Sequence, residues 1–76
     1  MEARAVREIP AESLLSAREL EVIRLVSDGR TNEQIARLLG VSLSTVKAEL
    51  SALFGKLGAT DRASAVAVCF RRGILS

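Results

Sequence analysis

The chain has 76 residues, 49% of them hydrophobic with only two aromatics, and a net charge of +2. That length supports one core, and an aliphatic composition of this kind favours a helical bundle over a β-sandwich or a disordered tail. One cysteine and no histidine exclude an internal disulfide, the usual zinc and haem ligand clusters, and histidine-based catalytic triads, so neither an enzyme nor a bound cofactor or metal is expected.

Charge is distributed unevenly. Residues 1–30 hold five arginines against six acids, residues 31–41 are neutral, and the positive excess falls after residue 42. Glu2, Arg4, Arg7, Glu8 and Glu12 interrupt any apolar run long enough for a signal peptide or membrane span, and a soluble cytoplasmic protein is the expectation. Residues 1–13, with a single Pro10 and no periodic stripe, read as a flexible N-terminal tail or linker ahead of a domain over 14–76.

Ser16-Ala17-Arg18-Glu19 has the form of a capping box, with Leu15 and Leu20 placed to close a hydrophobic staple. The periodic residues Leu20, Val22, Ile23, Leu25 and Val26 predict a first helix over about 17–28, stopped by Asp28-Gly29. Thr31 and Gln34 repeat the box and open a second helix over 32–39, whose apolar face is Ile35, Ala36, Leu38 and Leu39. Gly40 then ends it at a tight turn.

Ser42 caps a third helix expected over 43–57, with Gly58 as its stop. At about 100° per residue, Val46, Leu50, Leu53 and Leu57 fall in one narrow stripe flanked by Leu43 and Phe54. Ser44, Lys47, Ala48, Ser51 and Gly55 fall on the opposite side, an outer face of small residues. Short helix, glycine turn and second helix form the spacing of a helix-turn-helix. Asp61 caps a fourth helix over 62–72, stopped by Gly73, with Ile74-Leu75 folding back. Apolar residues lie on more than one side of it: Ala65, Val66, Cys69 and Phe70 on one surface, Ala67 and Val68 extending onto another. The strip left in water suits a second copy of the same helix, through Ser64, Ala67, Val68 and Arg71, or else cover by a tail or neighbouring domain. Cys69 reads as a small buried apolar residue, and Phe54 and Phe70 as core.

The segments Leu15-Ser16-Ala17-Arg18-Glu19, Gly29-Arg30-Thr31-Asn32, Gln34-Ile35-Ala36, Ser44-Thr45-Val46-Lys47 and Lys56-Leu57-Gly58, continued by Asp61-Arg62 and Gly73-Ile74-Leu75, resemble the LuxR/GerE type of helix-turn-helix domain over residues 14–75. The resemblance implies an all-α, four-helix DNA-binding domain whose third helix enters the major groove and whose fourth pairs a homodimer. It also implies that Thr45 and Lys47 lie at the DNA surface.

Hydroxyls of Ser42, Ser44 and Thr45 sit at a helix N-terminus suited to phosphate, Thr31 likewise at the second helix, while Ala48 and Ser51 suit base edges. Thr31, Ser42 and Thr45 also serve as helix-end residues whether or not a protein meets DNA. Arg62, Arg71 and Arg72 add positive charge, the last two also as partners of a helix C-terminus. Glu33, Glu49 and Gly55 stand where the family is often basic or polar, which thins the positive charge and predicts a shallow salt dependence for one domain. Two alternatives share the pattern: a module like the fourth region of a sigma factor, with RNA polymerase as partner, and a protein-interaction module that has lost DNA contact.

Overall fold

The computed structural model describes residues 15–76; the expected tail, and its boundary with the domain, lie outside the described residues. Four helices follow one another, α1 (Ala17–Ser27), α2 (Asn32–Leu39), α3 (Leu43–Leu57) and α4 (Arg62–Arg71), and no strand occurs among the described residues.

Each helix starts where a side chain satisfies backbone N–H groups that the first turn leaves without partners. Ser16 Oγ accepts from the Glu19 amide at 3.0 Å while the Glu19 carboxylate accepts from the Ser16 amide at 2.8 Å. Thr31 and Gln34 make the same reciprocal pair at 3.1 and 2.9 Å. Ser42 Oγ accepts from the Thr45 amide at 3.1 Å. Asp61 accepts from the Ser64 amide at 2.8 Å, and Ser64 Oγ in turn accepts from the amides of Asp61 and Thr60 at 3.2 and 3.1 Å. All four cap residues are those the sequence marks. The first and fourth helices each stop one residue short of expectation, because Asp28 and Arg72 take the C-cap position with ψ near zero.

Between α2 and α3 the chain turns by 107°, within the range of a helix-turn-helix. Gly40 makes that turn at φ 70°, ψ 33°, a left-handed conformation that a β-carbon disfavours. Its amide donates to the Arg37 carbonyl, and the Val41 amide reaches back to the Ala36 carbonyl at 3.0 Å. The turn is thereby closed on itself before α3 begins.

The core is built from Val22, Ile23 and Val26 of α1, Ile35 and Ala36 of α2, Val46, Leu50, Leu53 and Leu57 of α3, and Ala65, Val68 and Cys69 of α4, sealed by Leu15, Ile74 and Leu75. Among the described residues no polar or charged side chain is buried. Ile74 and Leu75 fold back as expected, their amides both donating to the Cys69 carbonyl. Burial pushes the Cys69 thiol up, against a smaller opposing pull from Arg72. No single helix among the described residues is long and apolar enough to cross a membrane.

Three expectations about burial are corrected. Phe70 is 47% exposed and not core, whereas Val68, expected on the open strip, is only 8% exposed. The reason is angular: Ala65, Val68 and Cys69 share one face at spacings of three and four, and Phe70 lies about 100° beyond Cys69, in line with Ala63 and Ala67. Leu38, expected on the apolar face of α2, is 57% exposed, because Ile35, Ala36 and Leu39 define that face and Leu38 turns away from it. Phe54 is half-buried and packs against the core, as expected.

Two carboxylates tie stability to pH. The Lys56 ammonium, and then the Ser16 amide, hold the Glu19 carboxyl below the usual carboxylate range, and the Ser64 amide and hydroxyl do the same for Asp61. A depressed folded-state pKa contributes stability that is fully present above the unfolded value and is lost as pH falls through the folded one. Thermal melts are therefore expected to be level near neutrality and to decline once the pH drops below the ordinary carboxylate range. Glu19→Gln should flatten that decline, and an acid limb unchanged by the substitution would contradict the assignment.

Candidate nucleic-acid interface

The buried stripe of α3 fixes which side of the helix faces outward. With Val46, Leu50, Leu53 and Leu57 buried, Ser44, Thr45, Lys47, Ala48, Ser51, Ala52 and Gly55 are all exposed. Apart from Lys47, these side chains are short. The outer face of α3 is therefore low in relief, and a helix with its side chains, about 10–12 Å across, matches the width of a DNA major groove.

At the N-terminus of α3 three hydroxyls are linked: Ser42 Oγ lies 3.1 Å from Ser44 Oγ and 2.9 Å from Thr45 Oγ1. A hydroxyl offers one donor and two acceptor sites, so Ser42, which also caps the helix, is already saturated. Ser42 therefore donates to one of the other two hydroxyls and accepts from the second, which leaves one of Ser44 and Thr45 with its O–H free to donate to an anion arriving at this helix end. Sequence reasoning did not separate the three, because capping and hydroxyl chemistry look the same in one dimension.

On one flank of α3 lies an open recess lined by Arg30, Thr31, Asn32 and Glu33 at the start of α2, Leu43 and Lys47 of α3, and Arg62 of α4. Thr31 and Lys47 are thus brought to one recess from different helices. Lys47 has no ion-pair partner among the described residues. Arg62 is not simply extra surface charge: it donates to Asn32 Oδ1 at 2.7 Å and to the Arg30 carbonyl, strapping α4 to the segment that enters α2. Ala48 and Ser51 are set further round the open face.

The opposite flank is tied to α1. Arg18 Nε and Nη2 donate to the two oxygens of Glu49 at 2.9 and 3.2 Å, and Lys56 Nζ lies 2.9 Å from Glu19 Oε1. Adjacent residues of α1 thus hold two positions of α3 seven residues apart. The Glu49 charge is therefore met within the protein. Nothing in the sequence pattern pairs these residues, which lie 31 and 37 positions apart.

Of the residues expected to pair two copies, Ala67 and Arg71 are exposed, Ser64 is half-buried with its hydroxyl engaged in the α4 cap, and Val68 belongs to the core. Phe70, which the sequence reading assigned to the core, joins Ala63 and Ala67 on the open strip.

This arrangement has close counterparts. Residues 13–69 match the model of the bacterial regulatory proteins of the luxR family. The chain belongs to that family. The domain is the family's DNA-binding helix-turn-helix, all-α with four helices. It is similar to the probable transcriptional regulatory protein NarL of Mycobacterium tuberculosis, 44% identical over 69 residues that cover 91% of this chain and 32% of the relative. It also resembles the probable transcriptional regulatory protein SgaR of Hyphomicrobium methylovorum, 49% identical over 59 residues covering 78% and 28%. Among solved structures, the response regulator ChrA of a heme-sensing two-component system superposes with a TM-score of 0.77 at 34% identity, covering 80% of this chain and 30% of that one. The luxR-family chain spans about a third of the length of the curated relatives it matches.

Proposed function

We propose that this luxR-family domain binds double-stranded DNA as a homodimer, with α3 in the major groove and α4 pairing the two copies, and so regulates transcription. The observation that carries the reading is the outer face of α3: small, exposed along its length, and bordered by Lys47, which has no ion-pair partner among the described residues and faces the α2 N-terminus. Ser44, Thr45 and the N-terminus of α2 at Thr31 bind phosphates and set the register, with Ser42 holding the end of α3 in place. Lys47, Ala48 and Ser51 then meet phosphate or base edges, Ala48 against a thymine methyl and Ser51 by its hydroxyl. Alanine and serine discriminate weakly, so much of the affinity is electrostatic and each copy contributes a small footprint. Pairing through α4 doubles that footprint, and the exposed Ala63, Ala67 and Phe70 supply an apolar strip for it.

Sedimentation of the domain with and without short genomic duplexes tests both halves of the reading. The expected result is two copies on each bound duplex, and one copy for Phe70→Glu, which puts a charge on the strip. No duplex bound at low salt would overturn DNA recognition; a Phe70→Glu domain that still binds in pairs would overturn the α4 interface.

A further inference from the structure

A carboxylate on a helix that approaches phosphates opposes binding, and Glu49 is such a group. At 100° per residue it lies about 200° from Lys47 going round by the outer face, at the far edge of that face. Arg18 reaches it from α1 with a two-pronged fork, Nε to Oε1 at 2.9 Å and Nη2 to Oε2 at 3.2 Å. A guanidinium has five N–H donors, so three are left, on a side chain that is 42% exposed. Its backbone is fixed as well: Arg18 lies inside the Ser16–Glu19 capping box, and the neighbouring Glu19 is bound to Lys56. The cleft between α1 and α3 is lined by Arg18, Glu19, Val22, Glu49, Ala52 and Leu53, and Arg18 is the cation in it. As a surface ion pair, Arg18–Glu49 adds little to folding.

We propose that Arg18 is a phosphate-binding residue on the flank of α3 opposite Lys47, and that Glu49 is the positioning residue that fixes its guanidinium there. A helix lying in the major groove has a phosphodiester strand on either side. Lys47 and the α2 N-terminus serve one strand; Arg18 serves the other. Glu49, which on its own would repel the duplex, orients the fork while its charge is cancelled. The inference rests on the DNA-binding reading above.

The test is a double-mutant cycle on binding of a fluorescein-labelled, mixed-sequence duplex across a salt series, with thermal melts of each variant. Arg18→Ala loses a phosphate contact and uncovers Glu49, so affinity should fall about tenfold or more and the salt slope should shrink by about one. Glu49→Ala frees the guanidinium from its fixed place, so removing Arg18 should cost several-fold less affinity in the Glu49→Ala background than in the wild type, and equal costs in the two backgrounds would overturn the positioning role. The Arg18→Ala/Glu49→Ala pair should recover several-fold over Arg18→Ala without reaching wild type. All variants should melt within a few degrees of wild type, and Arg18→Gln replaces Arg18→Ala should the latter not fold. Arg18→Ala binding with wild-type affinity and slope would overturn the proposal while leaving DNA recognition standing, as would a double variant no better than Arg18→Ala. A wild-type domain that binds no duplex at low salt would overturn both.

Discussion

Lys47→Glu is expected to weaken duplex binding by roughly 10- to 100-fold at moderate salt and to reduce the salt slope by about two, because one phosphate contact is lost and one repulsion is added. The magnitude follows from position. Lys47 lines the recess beside Thr31, with no acidic side chain paired to it among the described residues, so no ion pair has to be broken for it to reach DNA. The substitution is on an exposed site and should shift the melting temperature little. Fluorescence anisotropy against salt, with a melt of the same protein, separates the two effects. Affinity that matches wild type through the salt series would remove Lys47 from the interface.

The largest effect on folding is expected from Leu53→Ala. Leu53 is 1% exposed, in the middle of the stripe that seats α3 on the rest of the bundle. Truncating such a leucine costs about 2–5 kcal/mol in lost transfer energy and residual cavity. A domain of this size has about 5–15 kcal/mol in total, at the lower end of that range. A loss of that size lowers the melting temperature by about 10 °C or more. Ser51→Ala, two residues away on the open face, should leave it unchanged. A Leu53→Ala domain as stable as Ser51→Ala would mean that α3 is not seated as described.

How much of this was legible beforehand depends on the distance along the chain over which the physics acts. Capping boxes at Ser16 and Thr31, the caps at Ser42 and Asp61, the Gly40 turn and the stripe of α3 are local, so residue types a few positions apart specify them. The sides of α4 were harder. Its residues are small and apolar nearly all round, so periodicity assigns no single buried face. Only packing against α1 and α3 decides that Val68 goes in and Phe70 stays out. Leu38 shows the same limit in a helix of eight residues, where one apolar position more or less shifts the apparent stripe.

The candidate interface divides in the same way. The outward set on α3 followed from the stripe, and Thr31 from its cap. Glu49 read in isolation as a penalty on DNA binding, because the sequence does not say that Arg18, 31 positions earlier, folds onto it. Arg62 read as a surface charge, because its acceptors, Asn32 and the Arg30 carbonyl, are equally remote. Long-range polar pairs of this kind depend on the fold already being formed.

The most direct test of the account is a titration of the isotopically labelled domain with duplex DNA, followed through its backbone amide resonances. Shifts concentrated at Thr31 and at the outward residues Ser42, Ser44, Thr45, Lys47, Ala48 and Ser51, with Leu53, Leu57 and the far side of α1 unmoved, are predicted for α3 lying in the groove. Strong shifts elsewhere on the bundle, with Ser44, Lys47 and Ser51 silent, would contradict it.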